Sequence, residues 1–338
     1  MERPTIKDVA RAAGVSINTV SRALNAKPDV SPETRRQVLE VAKRLNYMPN
    51  KLARGLRSNR TGVIGVIVAD IANPFFSAVV KGMGKAAKEL GYSIILQDTG
   101  ENYENEEEAI QIMISEQVDG LLITPVQTEK RTIRILQESN IPFVLVARHF
   151  SDADTDYVVA DDVQGGYLAT THLIERGHEK IAFINGPSYN SSAIERFQGY
   201  KKALEERNIE LNEKLIRTGA LTMEDGYTHC RVLLMQSGPR PTALFTFSDF
   251  VALGAMKAVH EVGLRIPDDI AIVGYDDIAF AFCLEVPLTT VRVLKRQLGE
   301  EAISVLEKKI DGQKRHSHLR IPVELVIRQS SLSTANQE

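Results

Sequence analysis

The chain has 338 residues, 43% hydrophobic and 25% charged, an ordinary globular composition but too long for a single core. Two cysteines exclude a disulfide framework; with no apolar signal core and no run near the ~20 apolar residues of a membrane span, the expected location is the cytoplasm. The net charge of −3 hides an asymmetry: residues 1 to 60 carry 4 Lys and 9 Arg against 5 acids, a basic head of the kind that suits a polyanion.

Three short helices are predicted before residue 47. Thr5, with Asp8 three residues on, opens a first helix over Ile6, Val9, Ala10 and Ala13, and Gly14 ends it. Ser16 caps a second helix with Val20 and Leu24 inward, closed by Asn25 and Pro28. Ser31-Pro32-Glu33 opens a third that runs through Val38, Val41 and Leu45. Two helices across a tight glycine turn make a helix-turn-helix, whose second helix points its first turn into a DNA major groove. There Asn18 can pair with an adenine edge, Arg22 can fork a guanine, and Ile17 can pack on a thymine methyl. Ser21 and Thr19 suit phosphates or the cap, and Thr5, Ser16, Asn25 and Ser31 complete the DNA-facing set of the head, residues 1 to 48.

Residues 49 to 61, "PNKLARGLRSNRT", form a basic linker in which Asn50 caps a short hinge helix. A helix of about eight residues is marginal alone, and Gly55 weakens it further, so its folding should depend on DNA. Lys51, Arg54 and Arg57 can hold phosphates, with Ala53 and Leu56 on the same segment.

From residue 62 to 330 apolar runs alternate with helical patterns: "VIGVIVA" (63 to 69), "SIILQD" (93 to 98), "GLLIT" (120 to 124), "FVLVA" (143 to 147), "KIAFING" (180 to 186), "ALFTF" (243 to 247) and "IAIVGYD" (270 to 276). Continuous apolar strands between helices indicate an α/β fold with parallel sheets covered on both faces. Ligands in such sheets bind beyond the strand ends, where this chain places Asp70, Asn73, Phe75 and Phe76, then Thr124, Arg148, Asn185, Ser248 and Asp276. Polar groups beside aromatic faces suit a small polar ring.

Other features carry less. "GMGKAAKELG" sits inside a helical pattern, and so fails as a dinucleotide loop. His172, His178, His316 and His318 lack ligand spacing and are read as surface or capping residues, Cys230 and Cys283 as buried thiols, and "NYENEEE" as a solvated helix start. No nucleophile elbow or Walker loop occurs, so neither metal nor cofactor is expected.

"TIKDVARAAGVSINTVSRALN" with "VSPETRRQVLEVAKRLNYMPNKLARGL", and then "NPFF", "VDGLLI", "RGHEKIAFI", "PTALF", "VGYDD" and "PLTTV", resemble the lactose repressor/galactose repressor (LacI/GalR) family over nearly the whole chain. The resemblance implies paired hinge helices in the minor groove with Leu56 as wedge. It also implies a core like a periplasmic sugar-binding protein, with subdomains of about 62–160 plus 291–320 and 161–290 plus 321–330, joined by crossings near Asp161, Thr290 and Ile321. An effector would lie between them. By matching position, Phe75 and Phe76 supply aromatic contacts, Arg196 binds effector oxygens, and Asp276 accepts from hydroxyls or a ring N–H; Ser192, Phe245 and Ser248 fall where members vary with effector class. Ala147 stands where many members have Asp, which weakens the case for a simple neutral sugar and leaves room for an acidic or phosphorylated one.

The expected protein is thus a dimeric, effector-controlled transcription regulator, a repressor of carbohydrate-related genes on a near-palindromic operator, and not an enzyme. Two rivals stand beside it. One is a regulator driven by a phosphocarrier protein, as in catabolite-control members of the family. The other is a sugar-modifying enzyme, which would leave the basic head unexplained.

Overall fold

A computed structural model describes residues 4–25, 27–47, 60–129 and 131–332. The chain divides into two compact units, residues 1–61 and 62–338.

In the first unit, α1 (Ile6–Ala13), α2 (Ile17–Leu24) and α3 (Pro32–Arg44) enclose a small core of Val9, Ala13, Val20, Ala23, Val30, Val38 and Val41. Local chemistry sets the three helix starts and the end of α1. The Asp8 carboxylate accepts from the Thr5 N–H at 2.9 Å, Gly14 closes α1 at φ 63°, and the Ser16 and Ser31 hydroxyls accept from the Thr19 and Thr34 N–H groups.

The second unit holds two sheets. One has the order β11-β5-β4-β3-β1-β2, with β1 (Val63–Val68), β2 (Ser93–Asp98), β3 (Gly120–Ile123), β4 (Phe143–Val146), β5 (Tyr157–Ala160) and β11 (His318–Ile321), all parallel. The other has the order β12-β10-β9-β8-β6-β7, with β6 (Ile181–Ile184), β7 (Ile216–Arg217), β8 (Ala243–Thr246), β9 (Ala271–Asp276), β10 (Thr289–Val293) and β12 (Val323–Val326). Here β12 runs antiparallel to β10, so this sheet is mixed where only parallel pairing was expected. The seven apolar runs are all strands. Five more, β5, β7, β10, β11 and β12, were not expected: β7 has only two residues, Thr289, Thr290 and Arg292 interrupt the apolar pattern of β10, and β11 and β12 are half exposed.

Helices α4 (Pro74–Glu89), α5 (Tyr103–Ser115) and α6 (Arg131–Glu138) follow strands of the first sheet; α7 (Asp162–Glu175), α8 (Ser191–Glu206), α9 (Met223–Met235) and α10 (Asp249–Glu261) belong with the second. The last helix, α11 (Lys295–Ile310), returns to the first subdomain and packs on α4. The chain crosses after Ala160, at Leu294 and at Pro322, and the first and last crossings touch through the Asp161 N–H and the Ile321 carbonyl, 2.9 Å apart. The middle crossing falls four residues past Thr290, because Thr289 to Val293 pair with both β9 and β12 and stay in the second sheet.

Helices α7 and α8 meet at glycine: a Cβ on Gly199 would stand 2.1 Å from the Val163 carbonyl oxygen, and one on Gly166 would stand 2.1 Å from that of Arg196. That approach brings Asp162 at the start of α7 beside Arg196 on α8. Among the described residues no helix is long and apolar enough to cross a membrane.

Candidate functional site

On the head, burial of Val20 and Ala23 turns the opposite side of α2 outward. Ser16, Ile17, Asn18, Arg22 and Asn25 are exposed, and Asn18, Arg22 and Asn25 share one face at helical spacing. Ile17 is 43% exposed at the head of the helix, an apolar side chain with no core to enter. Thr19 and Ser21 are half-buried, Asn25 closes the helix by donating to the Ser21 carbonyl at 2.7 Å, and Thr5 and Ser31 are exposed at the starts of α1 and α3. Arg22 is already engaged, in an ion pair with Asp29. The hinge residues Asn50, Lys51, Ala53, Arg54, Leu56 and Arg57 lie outside the described residues.

In the core, a cavity of about 370 Å³ opens between the two subdomains. The first contributes Asp70, Asn73, Phe75, Phe76, Gly100, Glu101, Ala147, Arg148 and Ala160; the second contributes Asp162, Ser192, Arg196, Leu221, Thr222, Asp225, Phe247, Ser248 and Asp276. Most of the polar groups sit just past a strand end, whereas Ser192 and Arg196 project from α8. Asn73 caps α4 by accepting from the Phe75 N–H at 3.0 Å, which turns the Phe75 and Phe76 rings edge to face at 5.0 Å. Ser248 caps α10, and the Ser192 hydroxyl crosses the cleft to donate to the Ala147 carbonyl at 3.0 Å.

Both arginines carry their own counter-charge. Arg148 is clamped in two-point fashion by Glu101 at 2.5 and 2.8 Å and donates to the Pro125 carbonyl at 3.0 Å. Arg196 donates to Asp162 at 2.8 Å and to the Phe247 carbonyl, with its guanidinium 3.6 Å from the centre of the Tyr275 ring and 4.6 Å from that of Phe247. Burial alone would lower the pKa of Arg196, but Asp162 and then Asp276 hold it above its usual value. Five carboxylates line the cavity against two guanidiniums. The two arginines therefore present no surplus positive charge, and the argument from Ala147 towards an acidic or phosphorylated ligand loses its footing.

Asp276 is the unengaged member of this set. Burial pushes its carboxyl up to about 7, with Arg196 and Lys295 acting against the rise. No hydrogen bond among the described residues reaches that carboxyl, whereas Asp162, Asp225 and Glu101 are all engaged. A ligand with donor groups would complete it.

Eight of the ten expected core residues line the cavity: Asn73, Phe75, Phe76, Arg148, Ser192, Arg196, Ser248 and Asp276. Two do not. Thr124 is buried where β3 leaves the sheet, its N–H given to the Ile67 carbonyl. Phe245 lies in mid-strand, fully buried and stacked on Phe183 at 4.4 Å. Phe247, two positions on and so on the same face, is the aromatic that reaches the opening. Residues missed in the sequence follow strands that were misjudged or not followed far enough: Glu101 three residues past β2, Asp162 after the unread β5, and Leu221 to Asp225 after the two-residue β7. Asn185, also at a strand end, turns its side chain to the Ala193 carbonyl and the Gly186 N–H.

Elsewhere, His172 proves buried, 2.7 Å from the Ser331 hydroxyl, and Cys283 proves exposed while Cys230 is buried. The fold also sets His316 3.0 Å from Asp156, acids that linear spacing did not offer it; among the described residues no group of side chains could hold a metal ion.

Comparison with known proteins agrees across the chain. Residues 5–50 match the model of bacterial regulatory proteins of the lacI family, and residues 61–329 match that of periplasmic binding proteins and the sugar-binding domain of the LacI family. An HTH-type transcriptional repressor PurR of Histophilus somni is 38% identical over 328 residues, covering 96% of this chain and 98% of the relative. A lac repressor dimer bound to operator and the anti-inducer ONPF superposes with a TM-score of 0.87 at 30% identity, covering 98% of this chain and all of the other. A complex of the transcriptional regulator CelR with cellobiose gives 0.76 at 33% identity, over 97% and 100%.

Proposed function

The chain belongs to the LacI family of DNA-binding transcriptional repressors, and from that premise we propose that α2 reads an operator through Asn18 and Arg22 while the cleft of the core receives an uncharged, hydroxyl-rich effector of the sugar type. The protein is a regulator and not an enzyme. It binds DNA and a small molecule and acts as a dimer, as its relatives do, and two-fold symmetry calls for a near-palindromic site. An effector that favours one closure of the cleft shifts the population competent for the operator, and by linkage the operator shifts effector affinity equally.

The observation that carries the effector reading is the Asp276 carboxyl, buried and without a hydrogen-bond donor, facing a cavity lined from both subdomains where both arginines are already neutralised. A donor-rich ligand satisfies it; an anion would meet surplus negative charge. The relative solved with cellobiose is consistent with this chemistry.

The test is thermal unfolding of the full chain against sugars, sugar acids, sugar phosphates and nucleobases. A ligand at 100 times its dissociation constant adds about 2.7 kcal/mol. Stabilisation by an uncharged sugar, lost in Asp276→Ala, supports the reading. Preference for a sugar acid or phosphate overturns it, and silence across the panel moves the input to a phosphocarrier protein.

A further inference from the structure

The head holds 13 basic residues in its first 60, yet it sets a carboxylate against the one arginine on the outward face of α2. Asp29 lies in the turn between α2 and α3, and that turn is fixed on several sides. The Lys27 N–H donates to the Arg22 carbonyl at 3.1 Å, the Val30 N–H donates to the Lys27 carbonyl at 3.4 Å, and Arg35 on α3 donates to the same Lys27 carbonyl at 2.5 Å. Val30, next in sequence, is buried in the head core. Asp29 is thus held by backbone at a defined place, while Arg22 is a long side chain half in solvent.

A carboxylate close to a polyanion costs affinity for every DNA sequence, so its position needs another reason. A guanidinium carries five N–H donors in a planar fork, enough to give one edge to a carboxylate and another to guanine O6 and N7. Held by Asp29, Arg22 is aimed before DNA arrives. An arginine free to swing could reach for a phosphate instead, a contact that reads no sequence.

We propose that Asp29 is a positioning residue for operator specificity: it orients Arg22 for base reading and opposes its diversion to the phosphate backbone. This rests on the reading of Arg22 as a base contact, and the test separates the two.

The full-length protein, as wild type, Asp29→Asn, Arg22→Ala and the double variant, is equilibrated with a pool of duplexes randomised around the bound site, and affinity is resolved base pair by base pair. Asp29→Asn is expected to weaken preference by about two- to five-fold, the range of an exposed ion pair. The loss should fall at the pair that Arg22→Ala flattens and at no other, while binding to unrelated duplexes tightens. In the Arg22→Ala background, Asp29→Asn should leave the base preferences unchanged; a merely structural role for Asp29 would disturb them there too, and a purely long-range electrostatic role would leave them unchanged in both backgrounds. If Arg22→Ala flattens one pair per half-site and Asp29→Asn leaves that pair untouched, the positioning role is overturned and the base contact stands. If Arg22→Ala weakens all sequences equally, Arg22 is a phosphate contact and both readings fall.

Discussion

At the scale of single residues, the end of β9 concentrates cost and function in two aspartates. Asp276 and Asp277 have φ of 111° and 53°, conformations that L-residues rarely adopt, and the Lys295 ammonium donates to the carbonyl oxygens of both. Asp277 is further gripped by Arg292 at 2.7 Å and Arg328 at 2.6 Å, so the turn that presents Asp276 is fixed from behind. The carboxyl of Asp276 has a folded pKa of about 7, above its ordinary value, because burial disfavours the charge. In the unfolded chain it ionises near pH 4, in the folded protein only near 7, so stability falls as pH rises between these limits. Asp276→Asn, which carries no charge at any pH, should match the wild type at pH 4 and exceed it at pH 8 by on the order of a few kcal/mol. Chemical denaturation of the ligand-free protein across that range is the measurement; equal stability of the two at pH 8 would show that the carboxylate is solvated in the cleft.

At the scale of elements, the pairing of α7 with α8 has consequences for the cavity. Asp162 opens α7, Ser192 and Arg196 lie on α8, and the glycines between them let the backbones approach closely enough for the Arg196–Asp162 pair. Gly199→Ala places a methyl group against the Val163 carbonyl and must push the helices apart. A loss of about 1–3 kcal/mol of stability is expected, the usual cost of overpacking. Sugar binding should weaken with it, since Arg196 and Asp162 move relative to each other; calorimetric titration with a sugar found in the panel would read this, and unchanged affinity would confine the pairing to a scaffolding role. Helix α5 shows the opposite relation between pattern and place. Its acidic first turn looks solvated in the sequence, but Glu106 is buried and accepts from the Val126 N–H and the Thr132 hydroxyl, both at 2.6 Å. It anchors the segment after β3, whose Pro125 carbonyl in turn receives Arg148.

At the scale of the whole molecule, the two subdomains of the core are joined by a buried ionic clasp beside the cavity. Glu195 on α8 of the second subdomain accepts from Arg320 of β11 at 2.7 and 2.8 Å and lies 2.8 Å from His149, which follows β4 of the first. Burial would raise the Glu195 pKa, but the hydrogen bonds from Arg320 and His149 overcome it and bring the group down to about 2. The Ser191 N–H donates to Gln127, and the His149 N–H donates to the Ser191 hydroxyl, across the same boundary. Glu195→Gln removes the charge opposite Arg320, so about 2 kcal/mol should be lost, less than for a fully buried pair because Arg320 is partly exposed. Hydrogen exchange at the Ser191 and His149 amides should accelerate while α10 stays protected; uniform exchange throughout would mean that the clasp does not set the closure of the cleft.

What the sequence alone determined follows from interactions between near neighbours. Caps such as Ser16 and Ser31, the burial period of Val9, Val20 and Val38, and the apolar runs of seven strands are local, and a local pattern can be read along the chain. So can Asn18 and Arg22, because facing outward one turn apart is a property of the helix itself. The motif matches carried the family for the same reason. Tertiary structure decided whatever depends on residues far apart in sequence. That Phe247 rather than Phe245 meets the cleft depends on where β8 ends against its neighbours. That Arg148 and Arg196 offer no surplus charge depends on Glu101 and Asp162, 47 and 34 residues away. Electrostatic balance in a buried site is a sum over whatever the fold brings within a few ångströms, and sequence spacing holds no record of that distance.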